Sequence, residues 1–313
     1  MQSIFLVGPT AVGKSAVALE LARMSNAEIV SADSMQIYRG MDIGTAKPTA
    51  AERVRVPHHL IDVCDVDERF DVKRYIDLTA PVISDIHSRS KMAVIVGGTG
   101  LYIRALRRGL FEGPSRNPKL RERLERLGAA ELFAELEKAD PATATRIDRH
   151  NPRRLVRALE VFHETGKPIT ELQKEWGTAE IPRQARNDSS CVCLDRNRED
   201  LYERIERRID AQIAAGWVEE VNRLLRRGLE KNATARQAAG YRELVAHVRG
   251  GLAFDQAVAL IKTRTRQLAR RQLTWFRREL GLVWLDIGRD ESPAETARRV
   301  HTIFRQKEKE TIS

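Results

Sequence analysis

A phosphate-binding loop is indicated near the amino end by eight residues with the spacing G-x4-G-K-S: Gly8, Pro9, Thr10, Ala11, Val12, Gly13, Lys14 and Ser15. In such a loop the backbone N–H groups point inward at an anion, the lysine adds a mobile positive charge, and the serine hydroxyl can bind Mg²⁺. The loop lies between a strand-like and a helix-like segment, as this mechanism requires. The residues therefore predict a site for a diphosphate or a triphosphate.

The acidic residue that should accompany such a loop is missing from its usual place. Hydrolases and kinases that use nucleoside triphosphates carry a metal-binding acid at the end of an apolar strand, but here the strand AVIVGGTG ends in glycines and Thr99. Asp33 stands instead in SADSMQIY, beside Ser34 and Gln36. Such a carboxylate could take a proton from a nucleophile that attacks carbon while the loop holds a departing diphosphate. A helix or turn cap is the alternative interpretation of Asp33.

A basic segment near the carboxyl end is the third candidate for function, because residues 256–278 contain seven Lys and Arg and no acid. Helical spacing would place three apolar side chains on one face and three arginines on another: Ile261, Leu268 and Trp275, and Arg266, Arg270 and Arg277. This pattern predicts a helix that packs on one side and meets nucleic-acid phosphate on the other. A solvated basic helix is the alternative.

The elements that must position these residues read as a parallel sheet with helices. Ile4 to Val7, AEIVSAD ending in Asp33, and MAVIVGGTG running into Gly97 to Gly100 have strand character, and Ser15 to Met24 has helix character. This alternation predicts an α/β, P-loop, doubly wound parallel sheet, in which ligands bind at the carboxyl ends of the strands. One crevice could then hold Lys14, Asp33 and Thr99.

The middle of the chain predicts a mostly helical inserted domain at residues 114–190, between core segments 1–113 and 191–313, the latter with basic carboxyl-terminal helices. One helix is well marked: Asn151 caps it, Pro152 follows, and Gly166 ends it. An apolar stripe and an arginine face are expected on this helix: Leu155, Leu159 and Phe162, and Arg153, Arg154 and Arg157. Residues 178–190 are interpreted as a mobile connection, and residues 283–286 as a late strand.

Composition favours a soluble, cytoplasmic protein with a polyanionic partner. No apolar run approaches the roughly 18 residues needed to span a membrane, and the spacing of Cys64, Cys191 and Cys193 indicates ordinary thiols. The net charge of +10 is uneven, because residues 1–110 carry 14 Lys and Arg against 12 Asp and Glu, and the remainder 40 against 32. An excess of this kind suits nucleic acid, although a generally basic proteome would also produce it.

Ordered stretches along the whole chain resemble the tRNA dimethylallyltransferase family, also called isopentenyl-tRNA transferases. The matching stretches are GPTAVGKS, SADSMQIYRGMDIGTAKP, VPHHLID, VGGTGLYIRAL, NPRRLVRALEV, TGKPITEL, AAGYREL and TRQLARRQLTWFR. The resemblance implies transfer of a dimethylallyl group from dimethylallyl diphosphate to the exocyclic N6 amine of the adenine 3′ of the tRNA anticodon, with Mg²⁺ as cofactor and release of diphosphate. The phosphate held by the loop would then belong to a leaving group.

The resemblance also implies roles for particular residues. The loop up to Ser15 would bind the diphosphate and the metal, Asp33 would be the general base, and Thr99 would position the amine. Arg208 would support the diphosphate, with Arg204 and Arg207 as neighbouring alternatives. The implied tRNA contacts are Asp33, Ser34, Met35, Gln36, Thr99, Arg121, Arg153, Arg154, Leu155, Val156, Arg157, Gln237, Ala238, Ala239, Gly240, Tyr241, Arg242, Arg270, Arg271, Gln272, Leu273, Thr274, Trp275, Phe276 and Arg277. Simple packing is the alternative for Tyr241, which could otherwise stack on a base.

Two other functions share part of this pattern. An ATP-binding small-molecule kinase related to nucleotide and shikimate kinases would use the loop and the sheet, but it gives no role to the basic helix and lacks the strand-end acid. A non-catalytic RNA-binding protein with ATP as a conformational switch would use the arginines and leave Asp33 and Thr99 without a role. The prenyltransferase, expected as a monomer, accounts for all of these residues.

Overall fold

The computed structural model describes residues 3–109, 117–172 and 190–312, with side chains described as far as residue 307. The chain divides into two compact units, one of Met1–Arg107 with Pro182–Ser313 and one of Arg108–Ile181. The insertion predicted at residues 114–190 has slightly different limits, and most of the residues between the two sets of limits lie outside the described ranges. The predicted mobile connection also lies there, apart from Ser190.

The first unit is built on one parallel sheet. Its described strands are β1 (Ser3–Val7), β2 (Ala27–Ser31), β3 (His58–His59), β4 (Met92–Gly97), β5 (Cys191–Arg196) and β6 (Val283–Ile287). They lie in the order β3-β2-β4-β1-β5-β6, and every neighbouring pair is parallel. The strands next to the phosphate loop are buried on both faces, which explains their continuous apolar runs. The doubly wound parallel sheet expected from the sequence is confirmed.

Helices fill the segments between the strands and form the second unit. In chain order the described α-helices are α1 (Lys14–Met24), α2 (Ala50–Arg55), α3 (Val72–Ser88), α4 (Gly100–Arg108), α5 (Pro118–Glu125), α6 (Ala129–Ala139), α7 (Pro141–Ala144), α8 (Pro152–Thr165), α9 (Ile169–Leu172), α10 (Arg198–Ala214), α11 (Trp217–Arg226), α12 (Tyr241–Val248), α13 (Phe254–Arg277) and α14 (Pro293–Ile312). Short 3-10 helices cover Leu229–Lys231 and Ala235–Gln237. Among these helices, none combines the length and apolar character needed to cross a bilayer.

The second unit has a hydrophobic core of its own, in which α8 is central. Leu155 and Leu159 are fully buried there together with leucines of α5 and α6. The Asn151 side chain accepts a hydrogen bond from the Arg154 N–H, and Gly166 ends the helix with a left-handed φ of 67°. The predicted limits of this helix are therefore confirmed.

Helix α13 differs from its predicted packing. Its fully buried residues are Ala257, Ile261, Ala269 and Phe276, whereas Leu268 and Trp275 are only half-buried. Of the predicted apolar face, Ile261 alone lies in the core. Trp275 packs against this core from its half-buried position. The seven-residue spacing therefore found the packing side of the helix in part and missed the buried residues Ala257, Ala269 and Phe276.

A buried carboxylate stabilises the sheet at Glu28 of β2. The side chain is 2% exposed and accepts hydrogen bonds from Arg89 (Nη2, 2.9 Å), from Lys91 (Nζ, 2.9 Å), and pairs with His59 (Nε2, 2.8 Å). The hydrogen bonds from Arg89 hold the pKa of Glu28 well below its ordinary value of 4.5. The pKa of Glu28 is thus lower in the folded protein than in the unfolded protein. These contacts therefore contribute their full stabilisation at any pH above the unfolded-state pKa, and the contribution decreases as the pH falls below that value.

We expect Glu28→Gln to lower the free energy of unfolding by about 2–3 kcal/mol at pH 7, because it leaves partly exposed cations beside a neutral amide. The difference between variant and wild type should shrink below about pH 4. Urea unfolding followed by circular dichroism at several pH values measures both effects. Glu20→Gln is the control, since its surface pair with Arg23 contributes less than about 0.5 kcal/mol. Equal effects of the two substitutions would contradict the assignment.

Candidate active site

The phosphate loop follows β1 and turns through three residues with positive φ: Gly8 at 145°, Ala11 at 64° and Gly13 at 112°. At Gly8 a side chain is excluded by space as well as by conformation, because a Cβ there would lie 2.6 Å from the Leu194 carbonyl oxygen. The loop can therefore run directly beside β5 only with glycine at this position.

Two arginines hold the loop from outside by its carbonyl groups. Arg196 Nε donates to the Val12 carbonyl at 3.0 Å, and Arg204 Nε donates to the Ala11 carbonyl at 3.0 Å. Arg196 is itself buried and paired with Asp200 at 2.8 Å. With these carbonyls engaged by cations, the loop is held in the curved form in which its N–H groups can serve an anion.

Gln272 of α13 connects the loop to the glycine turn after β4. Its Oε1 accepts a hydrogen bond from the Thr10 N–H at 2.8 Å, and its Nε2 donates to the Gly98 carbonyl at 3.0 Å. A Cβ on Gly98 would lie 2.4 Å from Nε2, so a side chain there would displace this bridge. Gln272 was predicted only as a tRNA contact; its bridging role could not be found from spacing, because the partners lie far apart in sequence.

Lys14 lies folded over the loop. Its Nζ donates to the Gly8 carbonyl at 2.9 Å and to the Pro9 carbonyl at 2.6 Å. Burial lowers the pKa of Lys14 to about 8, while the nearby Asp33 carboxylate opposes that shift. The ammonium group is thus poorly solvated, and a diphosphate would replace carbonyl dipoles with full negative charge.

Asp33 and Thr99 lie on adjacent turns beyond β2 and β4. Asp33 Oδ1 accepts the Met35 N–H at 2.8 Å, and Thr99 Oγ1 accepts the Ser34 N–H at 3.0 Å. The turn cap considered for Asp33 is therefore present. It fixes the carboxyl group at the wall of the cavity that contains the phosphate loop, so the cap orients Asp33 instead of removing it from the site.

Arg208 of α10 reaches the same wall. Its Nη1 donates to the Thr10 hydroxyl at 3.4 Å. Burial lowers the pKa of its guanidinium from the ordinary value, and Asp33 opposes the shift. Arg204 is engaged with the loop backbone, and Arg207 is exposed. Of these three arginines, Arg208 is therefore the one that is half-buried and whose guanidinium bonds a loop side chain.

Two adjoining cavities, of about 520 and 330 Å³, share the walls formed by these residues. The first is the more polar of the two and is lined by Lys14, Ser15 and three of the four arginines of α10, namely Arg204, Arg207 and Arg208. The second shares Asp33 and Arg208 with the first and has large apolar side chains in its lining, namely Ile205, Ile209, Trp217 and Leu268. A diphosphate with a short hydrocarbon chain matches this difference in lining.

Mg²⁺ fits the polar cavity through oxygen atoms. Ser15 and Asp33 both line it, and the described residues contain no cluster of three or more His, Cys, Asp or Glu that could enclose an ion by themselves. Mg²⁺ commonly binds through one or two protein oxygens together with water and substrate phosphates. The residues present are thus compatible with a metal shared between the protein and a diphosphate.

The residues predicted to contact tRNA differ in how far their side chains are exposed to solvent. In the first unit those with exposed side chains are Gln237, Arg242, Arg270, Arg271, Thr274 and Arg277. Half-buried residues include several that line the cavities or pack beside them: Ser34, Met35, Gln36, Ala239, Leu273 and Trp275. Fully buried are Ala238, Gly240, Tyr241 and Phe276. Tyr241 packs edge-on against Trp217 and its ring also lines the 330 Å³ cavity, so the simple packing considered for it is present.

In the second unit the predicted contacts also divide. Arg153 and Arg154 are exposed, whereas Leu155 and Val156 are buried in the core and cannot offer side chains to RNA. Arg157 donates to buried Glu160 at 2.9 Å. Arg121 also pairs with Glu160, at 3.5 Å. Among the predicted tRNA contacts of the second unit, it is therefore the arginines whose side chains are wholly or partly available to bind tRNA phosphate.

Comparison with known proteins gives matches over most of the chain. The family model described as IPP transferase matches residues 36–279. A tRNA dimethylallyltransferase 1 from Trichlorobacter lovleyi is 46% identical over 286 residues, covering 90% of this chain and 92% of the relative. The matched family segment begins after the phosphate loop, so the similarity does not depend on that common motif.

Solved structures give the same result. The full-length tRNA isopentenylpyrophosphate transferase from Bacillus halodurans is 36% identical, with a TM-score of 0.72 and coverage of 100% of this chain and 99% of that chain. A eukaryotic dimethylallyltransferase, solved in snapshots of its action on tRNA, is 29% identical, with a TM-score of 0.77 and coverage of 91% and 73%.

Proposed function

The chain belongs to the IPP transferase family, and from this premise we propose that it transfers a dimethylallyl group from dimethylallyl diphosphate to the exocyclic N6 amine of the adenine 3′ of the tRNA anticodon. The observation that carries this proposal is the pair of adjoining cavities, of which one is lined by the phosphate loop and the other shares Asp33 with it and is lined by large apolar side chains. A phosphoryl transfer would need no such apolar lining.

The donor would bind with its diphosphate against Thr10 to Ser15 and its five-carbon group toward Leu268. As the bond between C1 and the bridging oxygen breaks, its electron pair goes to the diphosphate, and the loop N–H groups, Lys14 and Arg208 stabilise the growing negative charge. Mg²⁺, when bound through Ser15 and the diphosphate oxygens, would add positive charge there.

The amine nitrogen of the adenine would attack C1 with its lone pair and form the new C–N bond. The proton that this nitrogen must lose would pass to the Asp33 carboxylate, which the turn beside Met35 holds at the cavity wall. Thr99 would orient the amine from the adjacent turn. The adenine has to leave its stack to enter the cavity, and this costs little in an unpaired anticodon loop.

The exposed arginines of α13 and those of the second unit would neutralise tRNA phosphates, as the basic excess of the chain suggests. An enzyme with this substrate is expected to act in the cytoplasm, and we expect it to act as a monomer, because one chain supplies every residue named above.

A salt titration of tRNA binding tests the proposed contacts between arginines and tRNA phosphates. Arg271→Ala should reduce the slope of log K against log salt by about 1.

Radiolabelled dimethylallyl diphosphate and an anticodon stem-loop with an adenine at the target position test the reaction. We expect label in the RNA, released diphosphate in equal amount, and no label when the target adenine is replaced by guanine. Nuclease digestion and chromatography of the nucleosides locate the modified atom. Label on water alone, or transfer of the terminal phosphoryl group of ATP to an acceptor, would contradict the proposal.

Lys14 gives a pH dependence with a defined sign. Because the pKa of Lys14 is about 8 in the free protein, raising the pH above 8 removes the charge that attracts the diphosphate. We expect kcat/KM for dimethylallyl diphosphate to fall by up to about tenfold per pH unit above this value. Steady-state rates from pH 6.5 to 9.5 measure it. Lys14→Arg stays charged and should lack the decline; the same decline in this variant would assign it to another group.

A further inference from the structure

Glu220 of α11 is a buried carboxylate that joins two separate segments of the first unit. Its side chain accepts the backbone N–H groups of Asp42 at 2.9 Å and Ile43 at 2.7 Å, and that of Gly44 at 3.3 Å. It also accepts the Tyr241 hydroxyl at 2.7 Å. The residue is 1% exposed, so all of these donors satisfy a charge that water cannot reach.

No ion pair to Glu220 occurs within residues 3–109, 117–172 and 190–307. The carboxylate therefore depends on backbone N–H groups and one hydroxyl for its stabilisation, and loss of any of them leaves a buried charge poorly satisfied. A contact of this strength fixes the positions of both segments that supply the donors.

Trp217 lies one helical turn before Glu220 and occupies the space between the same two segments. A Cβ built on Gly44 would lie 2.2 Å from the indole Nε1, and one on Gly240 would lie 2.0 Å from Cη2. The indole also packs edge-on against Tyr241, with 5.6 Å between ring centroids. Trp217 thus fixes how close the segments approach, while Glu220 holds them from moving apart.

Both segments form walls of the 330 Å³ cavity. Gly44 and Thr45 line it on one side, and Ala238 and Ala239 line it on another, with Asp33 and Thr99 also in its wall. Gln212 adds a third tie, because its Nε2 donates to the Ile43 carbonyl at 2.6 Å. Gln212 and Trp217 themselves line the cavity, so α10 and α11 set the separation of these two walls.

We propose that Glu220 and Trp217 are positioning residues that hold these two walls at the separation needed for the adenine and the prenyl group to meet. The inference rests on the proposed prenyl transfer. It assigns no contact with the substrates to Glu220, and to Trp217 it assigns a place in the cavity wall without a role in the chemical step. Misplacement of about 1 Å at a reacting pair can lower a rate about a hundredfold, so a fixed wall has a direct kinetic value.

Glu220→Gln tests this inference in the stem-loop assay, because the amide turns N–H donors toward the N–H groups that the carboxylate accepts. We expect kcat to fall about tenfold to a hundredfold. The affinity for inorganic pyrophosphate, measured by calorimetry, should change by less than about twofold, because the phosphate loop does not contact Glu220. Tyr241→Phe removes a single donor and keeps the packing; we expect about a tenfold lower kcat.

Glu28→Gln is the matched control, since it also neutralises a buried, multiply bonded glutamate but lies outside the cavities. We expect it to keep kcat within about twofold. A Glu220→Gln protein with unchanged kcat, or one that loses pyrophosphate binding in proportion to activity, would overturn the inference. If that variant does not fold, an unchanged kcat in Tyr241→Phe would overturn it equally. Wild-type protein without prenyl transfer would instead contradict the proposed function, and that result is visible before any variant is compared.

Discussion

Replacing Asp33 with alanine is expected to lower kcat about a thousandfold while both substrates still bind. A positioned general base typically contributes between about a hundredfold and ten-thousandfold, and among the described residues no other carboxylate lines either cavity. Single-turnover transfer of labelled dimethylallyl groups to the stem-loop measures the chemical step, and filter binding measures RNA affinity.

Asp33→Asn separates the two roles of this residue. Its side-chain oxygen can still accept the Met35 N–H, so the turn remains, but the amide cannot take a proton at neutral pH. We expect the asparagine variant to lose nearly as much activity as the alanine variant. An asparagine variant with more than about a tenth of the wild-type rate would show that Asp33 matters for the turn and that another group accepts the proton.

Local patterns in the sequence were sufficient for the parts of the site carried by single loops. The phosphate loop, the turn with Asp33 and the glycine turn with Thr99 each follow a strand that is recognisable by its apolar run. Parallel strands place their carboxyl ends at one edge, so the crevice could be predicted without knowledge of the strand order. The AEIVSAD strand ends at Ser31, two residues earlier than predicted, because Asp33 already belongs to the turn.

Contacts between distant parts of the chain could not be predicted in this way. Gln272 bridges two loops more than 170 residues away, and Glu220 holds a loop at similar separation. Gln272 lies in a stretch that was predicted to contact tRNA, Glu220 lies in no predicted motif, and each could equally have been a surface polar side chain. Apart from the Tyr241 hydroxyl, the partners named here are backbone groups, which have no signature of residue type.

The sequence also could not show which residues of the predicted tRNA-contacting segments have buried side chains. A run of neighbouring residues on a helix points in all directions, so only some members of each run can reach a partner. Phe276 and Leu155 are core residues within runs whose arginines are exposed. The arginines were identifiable by charge, whereas the orientation of each helix depends on its packing against neighbours that the local sequence does not contain.

Replacing Arg208 with alanine is expected to lower kcat about a hundredfold to a thousandfold, as is typical when a preorganised group that stabilises developing charge is removed. Its half-buried guanidinium bonds Thr10 and interacts with Asp33, where the diphosphate would gain charge as the carbon–oxygen bond breaks. The affinity for inorganic pyrophosphate should fall as well, because the product carries that charge. Single-turnover rates and calorimetry measure the two effects.

Arg207→Ala and Arg204→Ala are the matched controls on the same helix. Arg207 is exposed and should change kcat by no more than about threefold. Arg204 holds the Ala11 carbonyl, so its removal should loosen the loop and raise KM for dimethylallyl diphosphate more than it lowers kcat. All three guanidiniums line the polar cavity, and only their burial and hydrogen bonds distinguish them. If either control variant lost more kcat than Arg208→Ala, the charge-stabilising role would belong to the arginine replaced in that control.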